Sequence, residues 1–226
     1  MKIYYTYTYN EKRAESHRLL KQAIAMHTGD AEKAGAMLEG MKKGPMGKPY
    51  IDGFSSFSIS HSGSVWAVLI ADKECGLDVQ FSKSCKIKGM AERAFDPADA
   101  AAVVSADEDS NEAQELFFRI WTRREALAKA MGGSAFDSSL PSVAGDKVTV
   151  KGKIYTVRDI ELPEPSGFLE DSEHPNDTEH PGLFAAVCLE GDAREDEWCI
   201  ICQKLPDDTP DQPADTAAPD EAGQRV

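Results

Sequence analysis

Between residues 56 and 80 the chain runs through three strand-like segments, Ser56–Ser60, Val65–Ala71 and Gly76–Gln80, and the last two are separated by the tight turn Asp72-Lys73-Glu74. Strands joined this closely read as antiparallel hairpin material, and they constrain the fold more than any other feature of the chain. Around them, strand and helix recur in two similar rounds. The first round has strand Ile3–Thr8, a helix from about Lys12 to Met26, and a helix Asp30–Met41 that opens on an Asp N-cap candidate and closes near Gly40 and Gly44. The second has a helix near Ala98–Val104, a long helix near Asn111–Met131, and strands Lys147–Val150, Lys153–Glu161, Leu183–Leu189 and Glu197–Gln203. The expected class is therefore α+β, in two related halves. No internal repeat is strong enough to prove a duplication.

The formal net charge of −14 takes on meaning only when divided along the chain. Residues 1–158 hold 22 Lys and Arg against 20 Asp and Glu, a net +2. Residues 159–182 hold eight acids and no Lys or Arg, and residues 206–226 hold six acids and one base. The acidity belongs to a Pro-rich stretch at about 163–182, expected to be an exposed loop, and to a Pro-, Asp- and Ala-rich tail at 206–226, expected to be disordered. An anionic partner for the first 158 residues is thus compatible with an acidic chain. The basic residues are spread out with no base-stacking aromatic platform, which argues against nucleic acid. No apolar run approaches the roughly 20 residues of a membrane span. The N-terminus alternates like a strand and lacks the apolar centre of a signal peptide, so a cytoplasmic location is expected. Cys75, Cys85, Cys188, Cys199 and Cys202 have no framework spacing. The Cys199-x-x-Cys202 pair lies in a strand-like run and is expected to be buried and reduced.

Four segments carry chemistry-bearing side chains. In Gly76-Leu77-Asp78-Val79-Gln80, strand periodicity puts Asp78 and Gln80 on one face, where a carboxylate and a carboxamide can hold a hard cation or its water. An edge strand with its polar face in water has the same pattern. On the long helix Trp121, Glu125 and Lys129 stand four residues apart and share a face, as an ordinary surface ion pair also does. The strand end Ile59-Ser60-His61-Ser62 gathers hydroxyls and a histidine, suited to phosphate or simply to a turn, and no G-x-S-x-G elbow surrounds Ser60 to make it a hydrolase nucleophile. The loop Lys42 to Tyr50 carries three lysines among glycines and prolines and is no Walker loop.

Taken together, in their order and spacing, these segments resemble the 4′-phosphopantetheinyl transferases of the larger, monomeric, two-lobed type. Gly47-Lys48-Pro49 resembles that family's G-[KR]-P, Ile59-Ser60-His61-Ser62 its I-S-H-[ST], Gly76-Leu77-Asp78-Val79-Gln80 its G-[IV]-D-[IVL]-E, and Trp121 to Lys129 its W-x-x-K-E-[AS]-x-x-K. Residues 47–133 match closely, and Ser16 to Leu20 more loosely. The resemblance implies two similar lobes in pseudo-twofold arrangement, each a small antiparallel sheet packed with helices, over residues 1–80 and 81–205. It implies transfer of the phosphopantetheine arm of coenzyme A to a serine of an apo acyl or peptidyl carrier protein, with Mg²⁺ and release of 3′,5′-ADP. On that basis Asp78, Gln80 and Glu125 are expected at the metal, and Glu125 and Lys129 in catalysis. Ser60, His61 and Lys129 are expected on phosphates, with Gly47, Lys48, Pro49 and Arg18 toward the 3′-phosphate or adenosine end. Lys83, Lys86, Lys88 and Arg93 are expected to dock an acidic carrier helix.

Two positions depart from the family pattern. Gln80 stands where Glu is usual, which removes one direct metal carboxylate. It also motivates the alternative of a non-catalytic coenzyme A or carrier-protein binding module. Arg124 stands where Lys is usual, keeping the charge but changing its geometry.

Overall fold

The computed structural model describes residues 1–106, 110–163, 182–193 and 198–206. The expected acidic loop, apart from its end residues, and the expected tail beyond Pro206 lie outside the described residues. The fold is α+β, with two four-stranded sheets and five helices among the described residues.

The first sheet has the order β10-β1-β5-β4, from Ile201–Lys204, Lys2–Thr6, Val65–Ala71 and Ser56–Ser62. Every residue of β5 is buried, as expected of a continuous apolar run covered on both faces. The pairings β1–β5 and β5–β4 are antiparallel, whereas β10 runs parallel to β1. The second sheet, β6-β9-β8-β7, is antiparallel throughout and comprises Cys75–Phe81, Leu183–Glu190, Lys153–Asp159 and Lys147–Val150. A small ribbon, β2 (Lys42–Lys43) with β3 (Pro49–Tyr50), closes the lysine loop.

The hairpin expected across Asp72-Lys73-Glu74 does not form. Both edges of β5 are already occupied by β1 and β4, so the chain crosses the turn into the second sheet, where β6 pairs with β9. Sheet membership therefore changes at residues 72–74, ahead of residue 80, and β10 later returns to the first sheet.

Three apolar clusters stack the layers. Helices α1 (Arg13–Thr28) and α2 (Ala31–Glu39) cover one face of the first sheet through Leu19, Leu20, Ile24 and Leu38 against Tyr4, Trp66 and Val68. The other face meets the second sheet: Tyr5, Ala67 and Leu69 pack with Leu77, Val79, Val187 and Leu189. The far face of the second sheet is covered by α3 (Ile87–Ala94), α4 (Pro97–Ser105) and α5 (Asn111–Met131). Helix α3 was not anticipated, although Ile87, Met90, Ala91 and Ala94 have helical spacing. Its Lys86 cap makes no side-chain hydrogen bond, and Gly89, a poor helix former, lies within its first turn. Helix α5 is marked more clearly. Ser110 caps its first turn by accepting from Ala113 N–H at 3.1 Å, and Gly132 ends it at φ 65°. The five cysteines are free, and Cys199 is exposed rather than buried because β10 begins only at Ile201.

Candidate active site

The site forms where α5 crosses β6, and a glycine makes the crossing possible. A Cβ on Gly76 would stand 1.9 Å from the Ala126 carbonyl oxygen and 2.6 Å from the Ala130 nitrogen. Helix and strand backbones thus touch at this point, which only glycine permits. Two residues further along the same face, Asp78 meets Lys129, one position from Ala130.

Asp78 is buried, and its Oδ1 accepts from Lys129 Nζ at 2.6 Å and from Ser60 Oγ at 2.8 Å. Lys129 Nζ also donates to Ser60 Oγ at 3.1 Å. The second carboxylate oxygen of Asp78 accepts no hydrogen bond from the described residues, and neither does the Glu125 carboxylate. Burial, and then the negative charge of Asp78, hold the Glu125 carboxyl above the ordinary range, with Lys129 and Arg124 opposing in part. Asp78, Glu125 and Lys129 line one cavity of about 280 Å³ together with Ser60, His61 and Gln80. His61 is exposed at its edge, with its ring 5.2 Å from that of Tyr9. Trp121, also in the lining, stacks on Phe117 at 6.1 Å and meets the exposed Phe136 edge-on.

Gln80 turns its amide nitrogen to the Phe81 carbonyl at 2.9 Å and to Ser62 Oγ at 3.3 Å. A carbonyl only accepts, so the NH₂ must face it, which leaves Oε1 as the free end of the side chain. Among the described residues no group of three or more His, Cys, Asp or Glu is placed to hold a metal. The donors that do converge, two carboxylates and a carboxamide oxygen, nonetheless fit Mg²⁺, which is commonly held by one or two carboxylates plus waters and substrate phosphates. The unpartnered Glu125 beside Asp78 is the kind of excess negative charge that a cation relieves.

The residues expected toward the adenosine end are not brought into this cavity. Lys48 donates to Glu74 Oε2 at 2.7 Å, to the Cys75 carbonyl at 3.0 Å and to the Ala130 carbonyl at 3.4 Å. Gly47 and Pro49 flank it in a turn closed by Gly47 N–H on the Gly44 carbonyl at 2.9 Å. Arg18 pairs with Glu15 at 2.6 Å on α1. Arg124, whose contacts the sequence left open, is fully buried and donates to the carbonyls of Ala135, Leu140 and Asp137 at 2.7, 3.2 and 2.7 Å. Its planar fork fixes the loop after α5, a task a single ammonium cannot perform in three directions.

Strand and helix thus define a centre able to hold a divalent cation and a polyanion beside a partly buried carboxyl. The model of the 4′-phosphopantetheinyl transferase superfamily matches residues 74–155, which contain Asp78, Gln80, Glu125 and Lys129. Over this segment the chain is similar to that superfamily. Over 111 residues it is 34% identical to the 4′-phosphopantetheinyl transferase AcpT of Salmonella typhimurium, covering 45% of this chain and 57% of that protein. Over 82 residues it is 35% identical to the AcpT of Escherichia coli K12, covering 35% and 41%. The chain thus spans about half the length of the curated relatives it matches.

Proposed function

We propose that this protein transfers the 4′-phosphopantetheine arm of coenzyme A to a serine of an apo carrier protein. The observation that carries the reading is the convergence of Asp78, Glu125 and Lys129 in one cavity within the superfamily match. Two α+β lobes, one built on each sheet, supply the two sides of the cleft. Asp78 and Glu125, with the free oxygen of Gln80, would hold a Mg²⁺ that polarises the coenzyme A pyrophosphate and neutralises charge in the transition state.

The carrier serine oxygen forms a bond to the β-phosphorus as the bond to the bridging oxygen breaks, and 3′,5′-ADP leaves. Glu125, with a raised affinity for protons, takes the serine proton directly or through water. Lys129 stabilises charge on the pyrophosphate and can protonate the leaving oxygen. His61, exposed at the cavity edge, contacts a phosphate. At about 280 Å³ the cavity is at the small end for organic ligands, so the coenzyme overhangs it toward the Arg18 and Gly47-Lys48-Pro49 side. Lys83, Lys86 and Arg93, exposed just after β6 and on α3, dock the acidic face of the carrier, with Lys88 beside them.

Incubating the protein with coenzyme A, Mg²⁺ and a panel of apo carriers tests the reading. A phosphopantetheine mass increment on a carrier serine is expected. Binding of coenzyme A without any increment would instead identify a binding module, the outcome that the missing carboxylate at Gln80 would explain.

A further inference from the structure

Strands β4 and β6 are both sheet edges, and an edge presents a row of N–H groups in need of partners. No backbone pairing joins these two. Instead Ser58 Oγ accepts from Leu77 N–H at 3.0 Å, Ser60 Oγ from Val79 N–H at 3.1 Å and Ser62 Oγ from Phe81 N–H at 3.0 Å. Serines two apart on β4 therefore meet amides two apart on β6, in one fixed register. The same hydroxyls also reach the side chains of β6: Ser60 donates to Asp78, and Ser62 accepts from Gln80.

A serine hydroxyl has one hydrogen and two lone pairs. At Ser60 the hydrogen goes to Asp78 Oδ1, and the lone pairs receive Val79 N–H and Lys129 Nζ. Nothing is left with which to donate to a phosphate. We infer that Ser60 and Ser62 are positioning residues, rungs of a serine ladder that carries Asp78, Lys129 and Gln80 into register across the two sheets, and that Ser60, whose hydrogen and lone pairs are all used, does so without touching substrate. The inference rests on the transferase reading for its kinetic consequence, but not for the ladder itself.

Amide hydrogen exchange tests the ladder independently of catalysis. In the wild-type chain the amides of Leu77, Val79 and Phe81 are expected to be protected although β6 has no strand partner on that side. Ser60→Ala should lose protection at Val79, and Ser62→Ala at Phe81. Ser60→Thr, which keeps the hydroxyl on a strand-compatible side chain, should restore it. In transfer assays Ser60→Ala should lower kcat tenfold or more while the calorimetric Kd for coenzyme A stays within threefold, with Ser60→Thr recovering most of the rate. Unprotected amides in the wild type, or a tenfold weaker coenzyme A affinity in Ser60→Ala, would overturn the inference. If the wild type transfers nothing, the transferase reading fails while the exchange data still decide the ladder.

Discussion

Two lysines flank β6, and they are held differently. Lys48, from the loop before β4, has its ammonium fully engaged by the Glu74 carboxylate and two carbonyls, Cys75 and Ala130. Lys129, on α5, shares a buried carboxylate with a serine, and next to it Glu125 has no partner among the described residues. The first arrangement is closed: every donor meets an acceptor, and the loop, strand and helix end are tied together. The second is open, with one more negative charge than its neighbours neutralise. Closed polar clusters hold a fold in place, whereas an open one awaits a ligand. The superfamily match, residues 74–155, includes Asp78, Glu125 and Lys129 of the open cluster but neither Ser60 nor the loop that bears Lys48.

The largest effect should come from breaking the open cluster. Asp78→Asn and Glu125→Gln are each expected to lower transfer by about 10² to 10⁴-fold, the usual range for loss of an acid–base or metal-holding group. Melting temperatures should stay within a few degrees of wild type. Because burial and Asp78 raise the Glu125 carboxyl above its ordinary value of 4.5, the acidic limb of kcat/KM should lie at higher pH than for a solvated Glu. A cation favours the ionised form, so added Mg²⁺ should move that limb to lower pH, and a limb indifferent to Mg²⁺ would separate Glu125 from the metal. The stability sign is opposite to that of a salt-bridged acid. The folded chain binds the proton more readily, so Glu125 costs stability as pH rises through its folded value, and Glu125→Gln should melt slightly higher at neutral pH.

Next comes the crossing that makes the cluster possible. Gly76→Ala would place a methyl group within 1.9 Å of the Ala126 carbonyl, which is backbone and has no room to yield. Helix and strand must separate, at a cost of about 3 kcal/mol in denaturant unfolding, and Asp78 and Lys129 must separate with them. Transfer should therefore fall even where the protein remains folded. Stability and rate both near wild type would mean that the close approach is dispensable.

Little of this geometry was open to inspection in the chain alone. The Asp78–Gln80 face and the Trp121, Glu125, Lys129 stripe were legible, because local periodicity determines which side chains share a face. That the two faces would meet came only from the family resemblance, since spacing alone does not say what a face packs against. The turn at Asp72-Lys73-Glu74 looks the same whether β6 folds back on β5 or leaves for another sheet. The choice depended on β1 capturing the free edge of β5 from about 60 residues away in sequence. The alternating serines of β4 were visible as hydroxyls, but the amides of β6 that donate to them were not. Gly76 and Arg124 followed the same rule: their roles are contacts with backbone remote from their own strand or turn, for which no short spacing gives a signal.

Arg124→Lys, which restores the residue type usual in the family, should cost about 2 kcal/mol, since one ammonium cannot replace a fork that satisfies three carbonyls and buried acceptors are left bare. The loop from Ala135 to Leu140, including the exposed Phe136 against Trp121, should then exchange its amides faster. Full stability in that variant would show that the loop holds itself.

The smallest effect sharpens the opening contrast. Lys48→Met removes the closed cluster's cation but keeps much of its apolar stem. Its partner Glu74 is more than half exposed and can turn to water, so the expected loss is only about 1 kcal/mol. If Lys48 is solely a tie between loop, strand and helix end, the KM for coenzyme A should remain within threefold of wild type. If the coenzyme's outer phosphate draws Lys48 away from Glu74, KM should rise tenfold or more, and Glu74→Gln, which loosens the ion pair, should lower it. The pair of variants therefore decides whether the closed cluster is structural throughout or opens when the coenzyme arrives.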